Sequence, residues 1–304
     1  MTAVSSARVD TTEAGLPRPR SPFSALARTL GEWLPGVPLL LLILLILVIP
    51  AILLIVGSFQ QHGSLTLDNW VNVLTRKGDQ VTILTSLSLA ATVATISALV
   101  GTPLAWLISR MHSVQRGSWL ALLTVGGNFG GIGLGFAFLA VLGTVGMLTF
   151  SIQAVAPGFS PPKPASFQGL VLGYLYTNVP LFVLLTIPAM GALRDEWWEA
   201  AQVASATRAQ FWRRIGVPIL APFAVAGWLL IFTWSMGIYG LAYALAGQTA
   251  TQAPIMTLRI GNILESDITQ TARANVLAVI LMIVATASLV AYRVLLRRAL
   301  RWFR

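Results

Sequence analysis

The chain has 304 residues, of which 56% are hydrophobic and only 10% charged, well under the roughly 25% of an ordinary soluble domain. It has no cysteine, which excludes disulfides and thiolate metal sites. Its net charge of +10 comes mostly from arginines beside apolar runs, a pattern that suits membrane topology and not nucleic-acid binding.

Residues 1–36 carry Arg8, Arg18, Arg20 and Arg28 among Ser, Thr, Pro and Gly, and read as a largely disordered leader. About 20 apolar residues cross a bilayer core as a helix. Six stretches meet that length, at 37–57, 82–109, 118–146, 168–192, 218–246 and 273–296. The first is an unbroken Leu/Ile/Val run. The second carries Thr85, Ser86, Ser88, Thr92 and Thr95, small hydroxyl residues suited to helix contacts inside a bundle. Gly126, Gly127, Gly130, Gly131, Gly133 and Gly135 crowd the first half of the third. They predict close backbone approach, or a locally broken helix beside a cavity. A basic tail, 297–304, closes the chain, so residues 37–296 form the membrane domain.

Loop charge sets the expected orientation. With the N-terminus inside, fifteen basic residues lie inside and five outside, the latter Arg76, Lys77, Lys163, Arg259 and Arg273. Both termini and the loop 194–217 are therefore expected in the cytosol. All ten acidic residues fall in loops or at span ends. Ion-coupled carriers keep ionisable groups inside the membrane, so their absence argues against that class. Neither lysine follows a G-x-x-x-x-G stretch, so no phosphate-binding loop for ATP is expected. His62 and His112 lie in short loops away from carboxylate clusters and read as solvent-exposed, and no metal or cofactor is expected.

The loop 194–217 reads RDEWWEAAQVASATRAQFWRRIGV. Asp195 and Glu196 favour a helix start and the alanines favour its continuation. A break is expected at Ser205-Ala206-Thr207, a second helix from Arg208, and Pro218 opens the fifth span. The short first helix presents small alanines and Glu199, a surface suited to a groove with a basic edge. The pattern resembles the E-A-A loop, E-A-A-x3-G-x9-I-x-L-P, of binding-protein-dependent ABC importer permeases. Glu199, Ala200, Ala201, Ile215 and Pro218 match it, Val217 stands for Leu, and Ser205 stands where that family usually has Gly.

The resemblance implies an all-α, six-span permease of type I architecture in the bacterial inner membrane, not itself an enzyme. Its implied partners are a cytosolic ATPase dimer, a second, homologous permease subunit and an extracytoplasmic substrate-binding protein; no nucleic acid is implied. Glu199, Ala200, Ala201, Ser205, Arg213, Arg214 and Pro218 would serve ATPase coupling. The flanking PLFVLLTIPAM and GIYGLAYALAG look like the polyamine, phosphonate and ferric-ion branch. Asn128, Tyr174, Tyr176, Asn178, Trp234, Tyr239 and Tyr243 are candidates for the substrate path, where rings and amides could hold an organic cation. Aromatics also gather at bilayer interfaces, the role favoured for any single ring, and Tyr174, Tyr176 and Trp228 suit it. A self-contained channel or a membrane scaffold is the rival reading.

Overall fold

The structure, a computed structural model, describes residues 36–301 except 62, 159, 192 and 248–252. The expectations for most of the leader, for His62 and for residues 302–304 lie outside the described residues. The chain divides into two units, one ending at Leu53 and one beginning at Leu54.

Helix α1 (Val37–Phe59) spans that boundary. It has a π-helical turn at Leu44–Val48, and no residue from Val37 to Val48 is buried. Leucines and isoleucines all round a helix are stable only in an apolar solvent. A two-strand hairpin follows, β1 (Gln60–Gln61) paired antiparallel with β2 (Ser64–Leu65). Next come α2 (Asp68–Thr75), α3 (Lys77–Ser109), α4 (Ser113–Asn128), α5 (Gly131–Leu142), α6 (Met147–Val155) and α7 (Phe167–Met190). The loop region holds α8 (Asp195–Val203) and α9 (Arg208–Phe211), then a second π-helical turn at Trp212–Gly216. The chain continues through α10 (Val217–Gly237), α11 (Gly240–Ala246), α12 (Met256–Ser266) and α13 (Thr271–Arg301).

Six helices among the described residues are long and apolar enough to cross a membrane. Two spans are interrupted: the third, as its crowded glycines allow, and the fifth, against the single helix expected. The third breaks after Asn128, where Gly130 is extended and Gly131 takes a φ of +71°, open to glycine without strain. The fifth breaks at Ile238 and Tyr239, although neither residue is a helix breaker. Helix α13 runs on to Arg301, so 297–301 continue the last span's helix.

The core is built on α7, which packs against α3, α4 and α10. Fully buried Phe182 lies between two glycines. A methyl at Gly101 of α3 would come 2.5 Å from its Cδ1, and one at Gly227 of α10 would come 2.9 Å from its Cε2. Membrane helices gain little from expelling water against lipid, so this close approach supplies much of their contact. One end of the bundle carries the loop 194–217; we call it the loop end. At the opposite end Asp79, fully buried, accepts two hydrogen bonds from Arg273, at 2.9 Å (Nε to Oδ2) and 2.5 Å (Nη2 to Oδ1). Arg273 Nη1 also donates to Gln270 Oε1 at 2.9 Å. This fork fastens the start of α3 to the start of α13. It explains why α3 begins five residues before the expected 82: the buried acid at its first turn has a paired cation.

Candidate functional site

The loop segment is shaped by its caps. Helix α8 starts with Asp195 and Glu196 in its first turn, where carboxylates meet the helix dipole favourably. It ends in a Schellman motif: Ser205 N–H donates to Gln202 O and Ala206 N–H to Ala201 O, both at 2.9 Å. Ser205 occupies the left-handed position with φ +56°, alone among described non-glycine residues in having a positive φ. The family's glycine at this place is therefore explained by backbone geometry. A capping box then starts α9: Thr207 Oγ1 accepts from Gln210 N–H, and Gln210 Oε1 accepts from Thr207 N–H.

These caps sort the E-A-A residues by face. Ala201 is buried with Phe211 and Leu220, whereas Glu199, Ala200 and Ser205 are exposed, and Val203 is 89% exposed. Among the described residues the Glu199 carboxylate has no hydrogen bond or ion pair. Arg213 and Arg214 lie exposed within the π-turn, and Pro218 is exposed at the second position of α10. Glu196 differs: hydrogen bonds from Arg194, at 3.0 and 3.2 Å, hold its carboxyl below the ordinary value.

Sequence reasoning missed what anchors this segment. Arg110, at the C-cap of α3, pairs with Asp195 and donates to Leu193 O at 3.2 Å. Trp106, Trp198, Phe211 and Trp212 wall a cavity of about 250 Å³ beneath α8 and α9. Arg110 could have been flagged as a cation ending a span; the aromatic cluster joins residues 106 and 212, and no local pattern reveals that.

A capping prediction follows. In Ser205→Gly the strain relieved at φ +56° and the added chain entropy nearly offset, so stability is expected within about 1 kcal/mol of wild type. Ser205→Ile puts a β-branched residue in the left-handed region, at a cost of roughly 1–3 kcal/mol, and should fray α8. Amide hydrogen exchange across 195–211 checks this: protection kept in the glycine variant and lost in the isoleucine variant.

The second candidate region lies where the two broken spans meet. A methyl at Gly240 would touch Ile132 N at 3.2 Å, and one at Gly135 would overlap Ala244 Cβ, so α5 packs tightly on α11. Beside this contact lies a cavity of about 750 Å³. Asn128, Trp234 and Tyr239 of the expected path residues line it, together with Thr177, Thr233 and the glycines of both breaks. No charged side chain among the described residues lines it. Asn178 is placed elsewhere. It is fully buried, donates to Tyr174 O at 2.7 Å and accepts from Ser235 Oγ at 3.4 Å, bonding α7 to α10 instead of facing the cavity. Tyr243 stacks on Tyr239, with centroids 5.5 Å apart, and does not line the cavity. Asn128 bonds its own helix, donating to Thr124 O at 2.8 Å.

The fifth-span break is held by hydroxyls. Ile238 O accepts from Tyr174 Oη at 3.1 Å and from Thr257 Oγ1 at 3.2 Å, which satisfies a carbonyl freed by the break. Tyr174, a possible belt residue by sequence, is instead buried; Tyr176 is exposed. Tyr174→Phe or Thr257→Val alone leaves one donor, and each is expected to cost about 1 kcal/mol. The double variant orphans the carbonyl and should lose more than the two singles together. Thermal unfolding in detergent, run as a double-mutant cycle, reads the excess.

No family model matches the chain. Curated relatives do. The sulfate transport system permease CysT of Salmonella typhimurium is 31% identical over 182 residues, 57% of this chain and 61% of that one. The matched region is thus under two thirds of that relative's length. The spermidine/putrescine transport system permease PotB of Haemophilus influenzae is 25% identical over 228 residues, covering 72% and 77%. The chain is related to the permeases of ABC transporters. In fold it is similar to a chain of a bacterial alginate ABC transporter solved with a pentasaccharide-bound periplasmic protein. That likeness has a TM-score of 0.71 at 15% identity, covering 92% of this chain and 98% of the other. The six apolar helices are accordingly those of a multi-pass membrane protein with the permease architecture.

Proposed function

We propose that the chain is one permease subunit of a binding-protein-dependent ABC importer in the bacterial inner membrane. It forms half of a path and takes its energy from a cytosolic ATPase. The observation that carries this reading is α8 itself: an exposed Glu199-Ala200 face on a short helix, closed by a left-handed cap where the family has glycine. Relatives that are permeases of sulfate, polyamine and molybdenum transport systems support it. In this reading both termini and the loop end are cytosolic, and the Asp79–Arg273 end is extracytoplasmic. A second, homologous permease completes the path, and a substrate-binding protein delivers cargo.

The cavity between the broken spans is this subunit's share of that path. Its lining of hydroxyl, amide, indole and backbone groups offers weak, reversible contacts. The substrate is expected among those of the relatives or of the polyamine, phosphonate and ferric-ion branch.

Reconstitution tests the reading. The chain alone in liposomes should neither hydrolyse ATP nor move solute. Adding the ATPase, the second permease and the binding protein should give both. Saturable, selective flux through the lone chain would replace this reading with a self-contained facilitator.

A further inference from the structure

Among the described residues, the aromatic cavity under the loop contains one cation that is not paired with an anion. Of its three guanidinium groups, Arg110 is paired with Asp195 and Arg194 with Glu196. The third, Arg208, lies 6.0 Å over the Trp198 ring and, among the described residues, has no carboxylate or hydrogen-bond acceptor. The wall also holds Trp106, whose indole N–H is buried without an acceptor among the described residues.

We propose that this cavity receives one acidic side chain of the ATPase subunit, which pairs with Arg208. The proposal rests on the docking reading above. In it the exposed Glu199 reaches out to the ATPase, and the cavity accepts a carboxylate coming back. Three observations favour this occupant. The volume of about 250 Å³ suits a side chain and falls below the usual range of small-molecule sites. The rings are fixed by edge contacts: Trp106 to Trp212 at 5.3 Å, and Trp198 to Phe211 at 5.1 Å. Such an apolar wall strengthens a charge pair formed against it. Finally, α8 and α9, which frame the cavity, belong to the same capped segment that presents Glu199.

The chain's two lysines make the test clean. Lys77 begins α3 at the far end of the bundle and Lys163 precedes α7, also at that end. Arg208→Lys therefore places the one lysine amine at the loop end. In the assembled complex, a carbodiimide that joins amines to carboxylates in contact should link residue 208 to an Asp or Glu of the ATPase. Arg208→Ala should show no such link, and Arg208→Glu should lower uptake roughly tenfold while thermal unfolding is unchanged. A complex that assembles but links residue 208 only to Asp195 or Glu199, or to nothing, overturns the proposal and leaves docking intact. If the ATPase fails to co-purify with the wild-type chain, the docking reading falls and takes the proposal with it. Should Arg208→Lys not assemble, phenylglyoxal modification of the wild type decides. Protection of Arg208 by the ATPase supports the proposal; equal modification with and without it, or equal protection by acetate alone, overturns it.

Discussion

Glu199→Lys is expected to leave the protein folded and in the membrane while abolishing its association with the ATPase and substrate uptake. The separation follows from exposure. The Glu199 carboxylate bonds to nothing among the described residues, so reversing it should change stability by no more than about 0.5 kcal/mol. The same change at a docking face sets like charges together, which costs several kcal/mol of association, on the order of 3 kcal/mol. Glu199→Ala should be milder, because an exposed pair contributes only about 0–1 kcal/mol. Co-purification of the ATPase, uptake and thermal unfolding, measured on one preparation, check the claim. Normal co-purification and uptake in Glu199→Lys would sink it; a lowered unfolding temperature would mean that the exposed face was misjudged.

The largest stability effect is expected at the other end of the bundle. Asp79 is 0% exposed and its partner Arg273 is 12% exposed in their side chains. Asp79→Ala strands the Arg273 guanidinium in a poorly solvated place and is expected to cost about 3–5 kcal/mol. Asp79→Leu combined with Arg273→Met removes both charges and should recover most of that loss, since apolar packing often replaces a buried pair at little cost. Detergent-solubilised thermal unfolding of the three variants distinguishes a charge clamp from mere packing. If the double variant is as unstable as Asp79→Ala, the shape of the site matters and the pairing does not.

Spans were legible because lipid selects on hydropathy alone, and that signal is local. Their interruptions were legible only where the chain announces them. The glycines crowded at 126–135 marked the third-span break, whereas only Gly237 and Gly240 flank the fifth-span break at Ile238 and Tyr239. That break depends on hydroxyls from Tyr174 and Thr257, 64 and 19 residues away. The turn at Ser205 was readable for the same reason as the glycines, since a small residue after an alanine-rich helix signals a cap. Asn178 could not be placed by sequence because its helix is apolar on every side, and its partner Ser235 is 57 residues distant. Asp79 likewise reads as a polar residue ahead of a span until Arg273 is set beside it. In each case the missing information is a contact between segments far apart in sequence.

The π-helical turn at Trp212–Gly216 sits between α9 and the fifth span. It works as a one-residue frameshift in an otherwise continuous screw. Each residue of an α-helix advances the azimuth by about 100°, so the extra residue resets which way everything upstream faces without altering the span below it. The heading of the loop segment and the lipid-facing register of the fifth span are thereby uncoupled in sequence. Deleting Arg213 would re-index the segment by about a quarter turn while leaving every membrane residue in phase. A lineage could therefore re-aim the loop segment by gaining or losing a single codon.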